Sequence, residues 1–191
     1  MRNAPALAPP YAVYVATIEA RKNHALLVDV VRRARSAGIR LPQIVWVGSW
    51  GWGTADLREE IARDADLQTS IVHLSGLPDD EVRWIVEHAA TVVYPSRFEG
   101  YGLPVAEARA LGVPVIASDL PAVREAAGAL GQFLDLDDID GWLRALSDVR
   151  EHPPARTTPP AARSWADVAG ELLAVVYRTR YGGGVSGEPP T

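Results

Sequence analysis

Short apolar segments rich in valine, isoleucine and aromatic residues alternate along the chain with longer segments that carry apolar positions at helical spacing. The short segments predict six β-strands, at residues 11–16, 43–47, 71–74, 91–94, 115–117 and 132–134. The longer segments predict helices at residues 23–38, 55–65, 78–88, 103–111, 121–127 and 139–149. Strands that alternate with helices over short connections form a parallel sheet covered by helices on both faces. We therefore predict an α/β fold.

The ends of the predicted elements indicate where a ligand would bind. Asn23 is predicted to cap the first helix with its side chain, and Gly38 is predicted to end it. Ligands of parallel α/β sheets bind at the carboxyl ends of the strands. Four loops are predicted to lie at that edge, following Ala16, Val47, Leu74 and Tyr94.

The composition along the chain predicts a leader, a sheet domain, a linker, a last helix and a tail, at residues 1–10, 11–150, 151–163, 164–180 and 181–191. The linker is predicted to be extended because residues 151–160 hold four prolines. Ser164 is the predicted cap of the last helix. The apolar stripe of that helix comprises Trp165, Val168, Leu172 and Val175. The tail contains three consecutive glycines and is predicted to be disordered.

Composition and charge narrow the classes of function. With 48% apolar and 23% charged residues the chain is a typical globular protein, and its net charge of -5 disfavours a nucleic-acid partner. The sequence has no cysteine, which excludes disulfides, cysteine-ligated metals and thiol nucleophiles. No apolar run approaches a membrane span and no signal-peptide pattern is present. We expect a cytoplasmic protein, with peripheral membrane contact left open.

Residues 94–108 carry the strongest chemical signal in the chain. They combine the end of an apolar strand, a glycine-rich turn and the start of a helix. Such a turn exposes unpaired backbone N–H groups at the positive end of a helix dipole, which suits a phosphate. Glu99 and Glu107 flank the turn and can accept hydrogen bonds from sugar hydroxyls. N–H groups that bind phosphate, next to carboxylates that accept bonds from sugar hydroxyls, together indicate a nucleotide-sugar site.

The same residues resemble the two-glutamate signature of retaining glycosyltransferases with the GT-B fold, family 4, also called glycosyl transferases group 1. That signature contains Pro-Ser, two variable residues, Glu-Gly-Phe-Gly-Leu-Pro and then Glu-Ala, and Tyr101 stands here in place of the phenylalanine. The resemblance implies a Rossmann-like domain, the C-terminal half of a GT-B enzyme. It also implies a nucleotide diphosphate sugar as donor and no metal or other cofactor.

The resemblance implies a role for each residue of this stretch. Glu107 would bind the ribose of the nucleotide, and Glu99 would face the donor sugar and ease charge at its anomeric carbon. The backbone N–H groups that meet sugar hydroxyls and phosphate would come from Gly100, Tyr101, Gly102 and Leu103.

Lys22 is the single lysine among 19 basic residues, and its surroundings also resemble the family. There a lysine that opens the helix after the first strand binds the donor diphosphate. Many members carry an arginine five positions earlier, where this chain has Thr17, and Arg21 is the candidate to replace it. The Arg-Lys-Asn run looks like that of bacterial mannosyltransferases. GDP-mannose is therefore the first candidate donor and UDP-sugars come next.

Two further segments are predicted to border the donor. Residues 72–82 resemble the base-binding segment of the family, with backbone atoms near Leu77 and a side chain near Val82 meeting the base, whose identity stays open. Gly48 follows the second strand at the same edge. The nearby Trp50 and Trp52 could line the pocket or pack in the core.

The resemblance covers only half of a GT-B enzyme. The acceptor would bind to an N-terminal domain or a partner chain, without which we expect this chain to be inactive. The last helix would then cover its apolar stripe by folding back or by pairing with another copy, or leave it exposed. Alternatives are a non-catalytic nucleotide-sugar-binding module and a sugar-nucleotide epimerase of similar fold. A Rossmann dehydrogenase is disfavoured because residues 16–19 contain no glycine.

Overall fold

The computed structural model describes residues 7–159 and 165–181. Of these, residues 7–159 belong to one compact unit and residues 165–181 to a second. In the first unit six strands form one sheet: β1 (Tyr11–Val15), β2 (Gln43–Val47), β3 (Ile71–Leu74), β4 (Thr91–Tyr94), β5 (Val115–Ser118) and β6 (Gly131–Leu134). Its helices are α1 (His24–Ala37), α2 (Ala55–Arg63), α3 (Ala65–Ser70), α4 (Asp79–His88), α5 (Leu103–Ala110), α6 (Pro121–Ala127) and α7 (Ile139–Glu151).

The sheet confirms the predicted Rossmann-like fold. Its strand order is β3-β2-β1-β4-β5-β6, and every neighbouring pair is parallel. The chain runs from β1 outward to β3, crosses back to β4 and then runs outward to β6. Because crossovers between parallel strands are right-handed, reversing the direction moves the connecting helices to the opposite face. The reversal point lies between β1 and β4, where ligands of such sheets bind.

The strands are buried because helices cover the sheet. In β1 every residue from Tyr11 to Tyr14 is at most 2% exposed, which is typical of a central parallel strand. Trp46 on β2 and Trp142 on α7 are the largest fully buried side chains. Buried tyrosines satisfy their hydroxyls within the fold, and Tyr11 donates to Ile85 O at 2.8 Å.

The predicted helix 55–65 corresponds to α2, which ends at Arg63, and the short helix α3 that follows it was not predicted. Asp64 adopts an extended conformation between α2 and α3, with φ -113° and ψ 106°. Its carboxylate accepts hydrogen bonds from the backbone N–H groups of Asp66 and Leu67. A side chain that caps a second helix in this way ends the first one.

The predicted side-chain cap of α1 is also wrong. Asn23 has a left-handed conformation, φ 55° and ψ 41°, and its side chain makes no capping bond. Instead Asn23 Oδ1 accepts a hydrogen bond from Arg97 Nη2 at 2.9 Å. At the other end Gly38 ends the helix in the left-handed conformation, as predicted.

Residues 152–159 contain no helix or strand. They return to the sheet domain, where Thr157 N donates to Gly112 O at 3.2 Å. The second unit is described over α8 (Trp165–Tyr181), on which Leu172 and Val175 are more than half exposed. Ser164, the side chains of Trp165 and Val168 and the predicted tail after Tyr181 lie outside the described residues, as do residues 1–6. Among the described residues, none of the helices has the length and apolar character to cross a membrane.

Candidate functional site

Two loops meet at the reversal point of the sheet. The first loop (residues 16–23) follows β1, and the second loop (residues 95–102) follows β4. Arg97 N donates to Arg21 O at 2.8 Å, and the Arg97 side chain bonds to Asn23 as described above. The two loops are thus held together by backbone and side-chain bonds, which fixes the groups they carry.

A buried ion pair joins the loops. Lys22 Nζ lies 2.5 Å from Glu99 Oε1, and the two side chains are 9% and 8% exposed. Ser96 Oγ donates to the same oxygen at 2.6 Å. Arg21 Nη1 approaches it at 3.3 Å, while Arg21 Nε pairs with Glu19 Oε1 at 2.8 Å. The structure therefore brings together all three residues predicted to act on the reacting part of the donor: Arg21, Lys22 and Glu99.

The hydrogen bonds keep Glu99 ionised. Burial alone would raise the pKa of Glu99, but hydrogen bonds from Lys22 and Ser96, with the charge of Lys22, outweigh it and hold that pKa below its usual value. Glu99 is therefore a carboxylate at neutral pH. Because the bonds from Lys22, Ser96 and Arg21 all go to Oε1, Oε2 receives none of them.

Sequence reasoning missed Tyr94 and Ser96. The Lys22 ammonium donates to the hydroxyl of Tyr94 at 2.8 Å, and Tyr94 is fully buried. Ser96 was given no role of its own in the signature, whereas it is a donor to Glu99.

The N-terminus of α5 is open to solvent. Gly102 precedes the helix with φ 90°, and Pro104 occupies its first turn. Tyr101 is 46% and Leu103 65% exposed, and Gly100 is exposed too. Within the described chain the backbone N–H groups of residues 100–103 donate no hydrogen bond to another backbone group. This geometry suits a phosphate or another anion.

Val82 and Glu107, predicted to meet the base and the ribose, line the same cavity. It has a volume of about 440 Å³ and lies between α4 and α5. Asp79, Arg83 and Val86 also line it. Leu77 is partly buried and packs against the core at the start of this region. The structure thus brings together two predicted donor-binding residues from separate helices.

Gly48 and Thr17 lie where the loops after β1 and β2 touch. A Cβ on Gly48 would lie 2.0 Å from Ala16 O, so only glycine fits there. Thr17 is exposed, and its methyl group would lie 2.8 Å from a Cβ on Gly51. Among the bonds of the described chain, none links the Thr17 side chain to the Lys22–Glu99 pair. Thr17 therefore borders the site without joining the ion pair.

The two tryptophans of the loop after β2 differ. Trp50 packs edge-on against Trp46 and His73, with ring centroids 6.5 and 5.2 Å apart. Trp52 is 86% exposed. Trp50 is thus mainly a packing residue. A larger cavity of about 710 Å³ lies at the amino end of β2, lined by Arg35 and Arg40, and shares no residue with the loops of the ion pair.

The site offers defined chemistry. An ammonium has three N–H donors. Lys22 directs one at Glu99 and one at Tyr94, which leaves one for a ligand oxygen. Arg21 adds a half-exposed guanidinium, and the N-terminus of α5 adds backbone donors. This arrangement can hold an anionic group next to an ionised carboxylate.

Comparison with known proteins gives concordant matches. A family model described as glycosyl transferases group 1 matches residues 2–156. The O-antigen chain mannosyltransferase B of Escherichia coli is 34% identical over 171 residues, covering 85% of this chain and 44% of that protein. The chain thus spans less than half the length of this relative.

Solved structures share the fold at low identity. TarM of S. aureus superposes with a TM-score of 0.64 at 17% identity, over 79% of this chain and 30% of TarM. Anabaena Alr3699/HepE, crystallised with UDP and glucose, gives a TM-score of 0.62 at 18% identity, over 75% of this chain and 39% of that protein.

Proposed function

The chain belongs to the glycosyl transferases group 1 family, and from that membership we propose that it binds the nucleotide diphosphate sugar donor of a retaining hexosyl transfer. One observation carries the proposal. Lys22 and the open N-terminus of α5 meet at the reversal point of the sheet, with the ionised Glu99 between the two loops. Cationic and N–H donors beside a carboxylate fit a sugar diphosphate.

Lys22, Arg21 and the N-terminus of α5 bind the diphosphate in this proposal. During transfer the bond between the sugar and the diphosphate breaks, and negative charge develops on the departing group. Fixed cations and N–H donors stabilise that charge without reorganising. Family members carry an arginine at the position of Thr17, and Arg21 takes over its role here. The Arg21 guanidinium contacts the same Glu99 oxygen as Lys22 does. The scheme uses no metal.

Glu99 and Glu107 bind opposite ends of the donor. Because the Oε1 atom of Glu99 is occupied by three donors, Oε2 is the atom left to accept a bond from a sugar hydroxyl. Glu107 binds the ribose hydroxyls, and Val82 with the backbone near Leu77 borders the base. Gly48 keeps the loop after β2 close to the first loop. Residues 100–103 supply N–H groups to the sugar and the phosphate.

What the similar proteins act on or bind gives an order of candidate donors. The E. coli relative is a mannosyltransferase, which favours GDP-mannose, and the HepE structure holds UDP and glucose, which makes a UDP-sugar the second candidate. The acceptor hydroxyl attacks from the side of the leaving group. Its site is supplied by an N-terminal domain or a partner chain, so that the chain by itself is inactive; proximity of the acceptor provides much of the rate.

A thermal-shift titration tests the proposal. The chain is titrated with UDP, GDP, ADP and their sugar conjugates, beside Lys22→Ala and Glu107→Ala. A ligand at a hundred times its dissociation constant adds about 2.7 kcal/mol of stability. We expect nucleotides of one base to raise the unfolding temperature of the wild type, and this stabilisation to be lost in both variants. Stabilisation by no nucleotide would contradict donor binding, and turnover of donor without acceptor would indicate an epimerase instead.

A further inference from the structure

Tyr94 occupies an unusual place for a core tyrosine. It is the last residue of β4 and is fully buried, yet its hydroxyl contacts the Lys22 ammonium at 2.8 Å. Lys22 Nζ also lies 5.0 Å from the centre of the Tyr94 ring. Tyr94 is therefore the one aromatic residue, among those described, whose hydroxyl accepts a hydrogen bond from the ammonium of the ion pair.

We propose that Tyr94 is a positioning residue that fixes the direction of the Lys22 ammonium and so presents its third N–H to a diphosphate. This inference rests on the proposed function of the site. A lysine side chain is a flexible stem carrying a point charge, so its direction must be set by its neighbours. Glu99 alone provides one acceptor, around which the ammonium can rotate. A second acceptor at Tyr94 removes that freedom.

The phenol suits this task because its oxygen is an acceptor held rigidly by the buried ring. It accepts a hydrogen bond from Lys22 at 2.8 Å. Burial, followed by the charge of Glu99, raises the pKa of Tyr94, so the phenol keeps its proton at every physiological pH. Phenylalanine at this position would keep the ring and lose the bond to Lys22.

Two other buried tyrosines provide matched controls. Tyr14 donates to the backbone carbonyl of Lys22 at 2.7 Å, and it packs edge-on against Tyr94 with ring centroids 5.4 Å apart. Tyr11 donates to Ile85 O at 2.8 Å, away from the ion pair. All three are at most 2% exposed. Replacing each by phenylalanine removes one buried hydroxyl, but only Tyr94→Phe removes a partner of the ammonium.

The single lysine makes the ammonium directly observable. A chain grown on lysine labelled with ¹⁵N at Nζ gives one side-chain signal, from Lys22. We expect Tyr94→Phe to shift this signal or broaden it by faster hydrogen exchange, and Tyr11→Phe to leave it unchanged. An unchanged Lys22 signal in Tyr94→Phe would overturn the proposal without reference to any ligand.

Nucleotide binding provides the second readout. The affinities for a nucleoside diphosphate and for the matching monophosphate are measured by calorimetry in the wild type and the three variants. A hydrogen bond that orients a charged donor is worth about tenfold in affinity. We expect Tyr94→Phe to lose this factor for the diphosphate and to keep its affinity for the monophosphate.

The outcomes separate the two proposals. Equal losses for diphosphate and monophosphate in Tyr94→Phe would mean that Tyr94 only supports the fold, and would overturn its positioning role. Loss of diphosphate binding in Lys22→Ala with none in Tyr94→Phe would uphold the proposed function and reject the role of Tyr94. A wild type that binds no nucleoside diphosphate would reject the proposed function, while the Lys22 signal would still decide whether Tyr94 holds the ammonium.

Discussion

The ammonium of Lys22 lies 2.5 Å from the carboxylate of Glu99, although the two residues are 77 positions apart in the sequence. The strand order explains this contact, because β1 and β4 are neighbours in the sheet and the two residues follow them. Both charges are almost fully removed from water. The pair is therefore both a structural link and the centre of the proposed donor site.

The stability of the domain depends on keeping the pair intact. Removing one partner of a buried ion pair leaves an uncompensated charge, and we expect Lys22→Met to lower the free energy of unfolding by about 3 kcal/mol. Lys22→Met with Glu99→Gln removes both charges, so the double variant should be more stable than Lys22→Met alone. Urea unfolding of the wild type, Lys22→Met, Glu99→Gln and the double variant measures this difference. Strictly additive losses would show that the two side chains do not interact.

His24 makes stability fall in weak acid. It is buried between Tyr14 and Trp46, and its two ring nitrogens have no hydrogen-bond partner among the described residues. Burial, followed by the charge of Lys22, lowers the pKa of His24 to about 3. Below its ordinary pKa of about 6.5 the unfolded chain gains a proton that the folded chain cannot take up. The free energy of unfolding should therefore fall as the pH drops from 6.5 towards about 3, by at most about 1.4 kcal/mol per pH unit.

Two variants isolate this effect. His24→Phe keeps a ring between its neighbours and removes the titrating group, so its free energy of unfolding should fall less between pH 6.5 and 5 than that of the wild type. His152→Gln, at an exposed histidine after α7, serves as the control. Urea unfolding at the two pH values gives the difference. Identical pH dependence in the wild type and His24→Phe would contradict the burial of a neutral His24.

Gly48 and Gly76 test the packing between loops. Gly76 has φ +69° with open space around it, so alanine there costs about 1 kcal/mol of backbone strain. At Gly48 the new Cβ would meet Ala16 O at 2.0 Å, and the backbone must move. We expect Gly48→Ala to destabilise the domain clearly more than Gly76→Ala in thermal unfolding. Equal effects would show that the loop after β2 is free to move away from the first loop.

Glu107 is expected to recognise the ribose. Glu107→Ala should weaken binding of a nucleoside diphosphate by about tenfold, the value of one hydrogen bond to a charged group. A 2′,3′-dideoxy analogue lacks the two hydroxyls, so its affinity should be unchanged by the substitution. Glu125→Ala, at another exposed glutamate, on α6, is the matched control. A loss of the same size for the dideoxy analogue would assign Glu107 to another part of the ligand.

The sequence predicted the sheet well because its signals are local. Short runs of mainly apolar residues mark each strand, and the glycines at 100 and 102 mark the turn after β4. The short helix α3 was missed, although the extent of α2 was predicted closely, because its start depends on the cap formed by Asp64. Its capping role depends on which backbone groups it meets, which periodicity does not encode.

The contacts of the site were only partly predictable. The residues predicted to act on the diphosphate and sugar could be identified from motifs, but Tyr94 could not, because its contact with Lys22 joins positions 72 apart. The sequence predicted a side-chain helix cap at Asn23, whereas the Asn23 side chain accepts a hydrogen bond from Arg97 in the neighbouring loop. The cytoplasmic location, peripheral membrane contact and pairing of copies through α8 stay predictions.

A crystal structure of the chain with the nucleoside diphosphate that stabilises it best would show directly whether the donor binds at the reversal point of the sheet. We expect a diphosphate oxygen within hydrogen-bond distance of Lys22 Nζ, a second phosphate oxygen on the N–H groups at the start of α5, and ribose hydroxyls on Glu107. A nucleotide bound instead in the cavity beside Arg35 and Arg40, at the amino end of β2, would contradict this expectation.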